Sequence, residues 1–149
     1  MSSMDRLSSL SDEYLTKTNQ IYEMQTLQNK LQKEIDKTSN VAAKDRLKNF
    51  KQDTAKLQEK NQLSKYELEL HQAKYEVLLA EIALEEAQNA KSTVRLQRDS
   101  EGNFGYVYTA DANKVADAEQ NLLDARNKEY NISLEAANDY AQKIIETQQ

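Results

Sequence analysis

The chain has 149 residues, of which 38% are hydrophobic and 30% charged, with two Gly, no Pro, Trp or Cys, and a formal net charge of −5. Without cysteine there are no disulfides, thiolate nucleophiles or cysteine metal sites. Residues 1–75 carry 13 basic and 11 acidic side chains and residues 76–149 carry 7 and 14, so neither half offers a phosphate-neutralising surface, and the acidic half repels anionic lipid.

The missing helix breakers set the fold class. Pro costs about 3 kcal/mol in a helix interior and Gly about 1, so a chain nearly free of both is suited to long helices. The lean apolar content fits narrow helical packing, where each helix buries one stripe. No apolar run reaches the ~18 residues of a membrane span. The start "MSSMDRLSSL" lacks the apolar segment of a signal peptide. The expected fold is mainly α: a long antiparallel helical hairpin or coiled coil of two to three helices with a β-hairpin at the tip. Residues 1–149 read as a single elongated coiled-coil domain.

The first helix is expected over about 3–38. Leu7, Leu10, Tyr14, Ile21, Met24, Leu31 and Ile35 recur in steps of three and four, with Lys17 and Gln28 at the two polar breaks. The seam then fails, and a new one starts at Leu47, Phe50, Thr54 and Leu57. The step from Ile35 to Leu47 is out of phase by about 120° at 3.6 residues per turn. A turn at about 38–41 accounts for this, with Ser39 or Asn40 capping the next helix. One helix running straight through with a rotated face is the alternative.

The second helix is expected over about 41–91. Its stripes are Leu47, Phe50, Leu57, Leu68, Tyr75 and Ile82, and Leu63, Leu70, Ala73, Val77, Leu84 and Ala87. Two stripes point to more than one packing partner. A further helix is expected over about 111–147. Thr109 or Asp111 caps it, and Val115, Ala118, Leu122, Ala125, Ile132 and Ala136 form its main stripe, flanked by Leu123, Tyr130, Tyr140 and Ile144.

Between these helices, "VRLQRDSEGNFGYVYTAD" alternates β-branched and aromatic residues and holds both glycines. A β-hairpin is expected over about 93–109. A three-residue loop, Ser100-Glu101-Gly102, needs a type I turn followed by a left-handed residue, and Gly102 supplies it. Asp99 then opposes Asn103, Arg98 opposes Phe104, Leu96 opposes Tyr106 and Val94 opposes Tyr108. That register gathers Val94, Leu96, Phe104, Tyr106 and Tyr108 on one face, and a one-residue slip scrambles it. The turn rests on Asp99, Gly102 and Asn103. A lone two-stranded hairpin is marginal in water. Its apolar face either folds onto the ends of the helices or meets another chain.

No constellation for chemistry is present. His71 is the only histidine, and a catalytic or metal-bound histidine needs partners. Glu67, four residues earlier, lies on the same face, and a polar position on the helix surface or seam is the expectation. "DSEGN" lacks the alternating Asp or Asn spacing of a calcium loop. No catalytic, cofactor-binding or metal residues are expected, and no cofactor.

Residues 93–141 resemble large virion proteins of tailed bacteriophages, the tape-measure-like tail proteins. The resemblance is carried by Arg98, Asp99, Gly102, Asn103, Tyr106, Tyr108, Thr109 and Ala110, then by Ala118, Glu119, Gln120 and Asn121. It implies a structural, non-enzymatic role in a virion, with long helices packed along a tail and this chain as an internal segment. The partners it implies are further copies or other virion proteins. Nucleic acid and membrane are not expected. The other reading of the residues is a helical adaptor or chaperone-like module that holds a partner protein by the tip hairpin or a helix groove.

Overall fold

The computed structural model describes the backbone of residues 3–60, 63–90, 93–109 and 111–148, and within these the side chains other than those of 3–16, 93–95, 97 and 106–109. The chain is mainly helical: α1 (Ser3–Lys37), α2 (Val41–Gln58), α3 (Lys65–Asn89), β1 (Thr93–Arg98), β2 (Phe104–Thr109) and α4 (Ala112–Gln148). It divides into two compact units, Met1–Gln72 and Ala73–Gln149.

In the first unit α1 ends and the chain turns at residues 38–40. Asn40 is the N-cap of α2, extended at φ −76° and ψ 117°, and its side chain accepts from Ala43 N at 3.1 Å. Of the two capping residues considered, Asn40 therefore fills the role, and the straight-through helix is excluded. α1 and α2 pack face to face. Leu27, Leu31 and Ile35 are buried on one side and Ala43, Leu47 and Thr54 on the other. Amides bridge the pair at its flanks: Gln28 Nε2 donates to Gln58 Oε1 at 3.1 Å, and Lys51 Nζ donates to Gln32 Oε1 at 2.6 Å.

The α1 seam differs from expectation at two places. Ile21 is 70% exposed, whereas Leu27 is buried. Leu27 lies three residues after Met24 and four before Leu31, so it completes the stripe with no polar break, and Gln28 moves to the flank. Leu7, Leu10 and Tyr14 lie outside the described side chains.

The expected continuous helix over 41–91 is broken. α2 stops at Gln58, and Glu59 and Lys60 N–H close its last turn onto Ala55 and Leu57 carbonyls. Ser64 then caps α3, its Oγ accepting from Glu67 N at 3.1 Å. The physical cause is written in "LSKYEL". Ser-x-x-Glu is a capping-box sequence, and the apolar residues before the cap and four positions into the helix form a hydrophobic staple. Those residues are Leu63 and Leu68, and they share one buried cluster with Met24, against which Leu57 packs. Glu67 carboxylate pairs with Lys60 at 3.1 Å.

In the second unit, α3 buries Ala73, Tyr75, Val77 and Ile82, and α4 buries Ala118 and Leu122. Glu76 pairs with Lys128 at 3.1 Å and Glu81 with Arg126 at 3.7 Å, so the two helices run in opposite directions. Asp111 caps α4, its Oδ1 accepting from Asn113 N at 3.0 Å and Lys114 N at 3.3 Å.

Candidate interaction surfaces

The segment joining α3 to α4 folds as two antiparallel strands. Arg98 stands opposite Phe104, Leu96 opposite Tyr106 and Val94 opposite Tyr108, the same pairs that the turn chemistry selects. Asp99 organises the turn. Its N–H donates to Asn103 O at 2.8 Å, and its Oδ1 accepts from Glu101 N at 2.9 Å and Asn103 N at 2.8 Å. Gly102 N–H returns to Asp99 O at 3.1 Å. Gly102 adopts φ +87°, a left-handed conformation that strains any residue with a Cβ. A methyl there would also touch the Arg98 guanidinium at 3.4 Å. Arg98 itself lies over the Phe104 ring, 5.7 Å from its centroid, a cation–π contact across the strand pair.

What the hairpin does with its apolar residues is visible at two positions. Leu96 is 63% exposed and Phe104 is 67% exposed. Neither is packed under its own chain, so folding onto the helices does not account for them. The side chains of Val94, Tyr106 and Tyr108 lie outside the described residues. Among the described residues no third strand joins either edge of this sheet, and an unpaired edge is a template for pairing.

A second surface was missed in the sequence. The C-terminal stretch of α4 from Ala137 to Gln148 is exposed on every face, and Leu123, Tyr130, Leu134, Tyr140, Ile144 and Ile145 are all exposed along the helix. The sequence signal was there in the residues treated as flanking the main stripe. Leu123, Tyr130 and Ile144 among them are separated by multiples of seven and so constitute a stripe of their own.

His71 has a structural setting. Its ring stacks on Phe50 at 4.5 Å between centroids and 13° between planes, and its Nε2 lies 2.7 Å from the fully buried Thr54 Oγ1. Thr54 Oγ1 donates its single proton to Phe50 O at 2.8 Å. It therefore has only lone pairs left for His71, and Nε2–H is the donor. A ring held between a phenyl face and a hydroxyl in a helix seam is a packing element. Among the described residues no group of three His, Asp or Glu is placed to hold a metal ion, and no helix is long and apolar enough to cross a membrane. The first unit has a groove of about 310 Å³ bordered by Ile21, Met24, Leu57 and Leu63, and a larger one of about 700 Å³ bordered by Gln28, Gln32, Ile35, Lys48 and Lys51.

No family model matches the chain, and no curated protein or solved structure matches it either.

Proposed function

We propose that the chain is a non-enzymatic structural segment of a protein assembly, of the tape-measure-like kind found in phage tails. In this reading α3 and α4 form an antiparallel coiled-coil hairpin with the β-hairpin at its tip, and the tip meets another protein. The observation that carries it is the exposure of Leu96 and Phe104 on a turn fixed by Asp99 and Gly102. Ordered backbone that holds large apolar side chains in water is suited to a partner that covers them. Among the residues that carry the resemblance to tape-measure-like proteins, Asp99, Gly102 and Asn103 build this turn and Ala118, Glu119, Gln120 and Asn121 lie in the first third of α4.

Leu96→Ser with Phe104→Ser is the test. The isolated protein should melt as before, and incorporation of the chain into its assembly should fail. Peptides of this chain in purified tailed virions support the tail setting, and their absence there overturns it. Capture of unfolded client proteins by the isolated chain, lost in the same double variant, would favour the adaptor reading instead.

A further inference from the structure

The six large apolar residues exposed on α4 are not scattered. Leu123, Tyr130, Leu134 and Ile144, with Asn127, Ala137 and Ala141, fall at successive steps of four and three, which are the d and a positions of a heptad. Tyr130 is 66% exposed and Ile144 41%. This row lies roughly 120° around the helix from the inner stripe of Val115, Ala118, Leu122 and Ala125, at 100° per residue. It extends over three heptads and continues into Ala137–Gln148, where the residues are exposed on every face of the helix. A dozen helical residues without a covered face are marginal in water, because packing supplies most of a helix's stability.

Three features choose the occupant. Asn127 sits at an a position. An amide both donates and accepts, so its complement is a second Asn127 in register, whereas an apolar or antiparallel partner leaves it buried and unpaired. The flanking e and g positions from 131 onward are Asn131, Asn138 and Ile145 on one side and Ser133 and Tyr140 on the other, all uncharged. A second copy of this acidic chain therefore meets no like charge there. Finally, in a parallel pair each g position faces the e position five residues on in the partner. Tyr140 of one copy then lies against Ile145 of the other. This covers both of the exposed residues that the a and d positions leave over.

We propose that a second copy of this chain packs along this outer seam of α4, parallel and in register, from Leu123 to Ile144 with Asn127 facing Asn127. The pairing deepens the structural reading above and rests on it for its setting. One like-charge contact remains, Glu119 beside Asp124 of the other copy, at the exposed end of the seam. Salt screens such a contact, so association strengthens moderately as ionic strength rises.

The chain has no cysteine, so single cysteines report geometry directly. Leu123→Cys and Ile144→Cys should each cross-link to themselves on oxidation. Sedimentation equilibrium should show a reversible monomer–dimer step. Leu134→Glu should weaken that step at least 30-fold, about 2 kcal/mol, with unchanged helicity by circular dichroism because the residue is exposed in the single chain. Asn127→Leu should tighten association and replace one dimer species with a mixture. Self-pairing along this seam is overturned by a protein that stays monomeric at about 1 mM or by a dimer indifferent to Leu134→Glu, and its parallel register by cross-links that form only between a Leu123→Cys chain and an Ile144→Cys chain. If the chain is monomeric yet joins other proteins through α4, self-pairing fails and the structural reading stands. If the dimer forms but never enters an assembly, the structural reading fails and self-pairing stands.

Discussion

The two units are built from similar polar helices, yet they bury themselves to different degrees. In the first, large aliphatic side chains interlock: Leu27, Leu31 and Ile35 against Ala43 and Leu47, and Met24 with Leu63 and Leu68. In the second, α4 buries only Ala118 and Leu122 among the described residues, and exposed ion pairs link it to α3. Exposed pairs of that kind contribute about 0–1 kcal/mol each. Eight of the eleven exposed large hydrophobics described lie in the second unit. Among the described residues the first unit therefore buries most of its large apolar side chains, and the second leaves more of them exposed. Alanine at the inner stripe of α4 accounts for the difference. It leaves the larger residues of that helix on the outer row.

The largest test of this contrast is in the first core. Leu31→Ala should destabilise the first unit by about 3 kcal/mol, since the residue is fully buried and its cavity is enclosed by packed neighbours. Urea unfolding followed by helicity reads the change, and a loss below about 1 kcal/mol would contradict a self-sufficient core. Gly102→Val comes next. It should cost the hairpin about 1–2 kcal/mol through its positive φ. Faster exchange of the amides at positions 102 and 103 should report this, with total helicity unaltered. Ser64→Ala should then cost about 1 kcal/mol by uncapping α3, and protection at Glu67 N–H should fall with it. Should that amide stay protected, the capping box is not what starts the helix. The smallest effect belongs to the second unit. Leu96→Ser and Phe104→Ser should each change the melting of the isolated protein by less than about 0.5 kcal/mol. A larger loss would mean that these residues are packed in solution and would erase the contrast between the units.

Much of the local structure was legible in the residues. The turn at Asn40 follows from a phase slip that no continuous stripe can absorb. The hairpin register follows because Gly102 and the alternation of apolar residues agree on one pairing. The break before α3 is equally present, in Ser64 and Glu67 flanked by Leu63 and Leu68, but no Gly or Pro marks it. A capping box with its staple ends and restarts a helix without either residue. The choice of Leu27 over Gln28 in α1 turned on a single step of phase, which only the facing helix decides. Which of α4's two apolar rows faces α3 was likewise settled by tertiary contact, since both recur at heptad spacing.

The tight turn at residues 38–40 also has a mechanical consequence. The hydrogen bonds between α1 and the chain after it span 19 residues at Gln32–Lys51, 30 at Gln28–Gln58 and 43 at Gln20–Leu63. Those contacts are rungs on a ladder closed at one end. Tension applied between Gln20 and Leu63 loads the outermost rung first and peels the helices apart one layer at a time, at low force. Tension applied between Gln20 and Val41 instead runs along α1 and through the turn, so the covalent backbone carries it and the rungs stay closed. A pair of helices joined in this way is compliant to being opened and stiff to being pulled along its length, and the direction of the pull decides which.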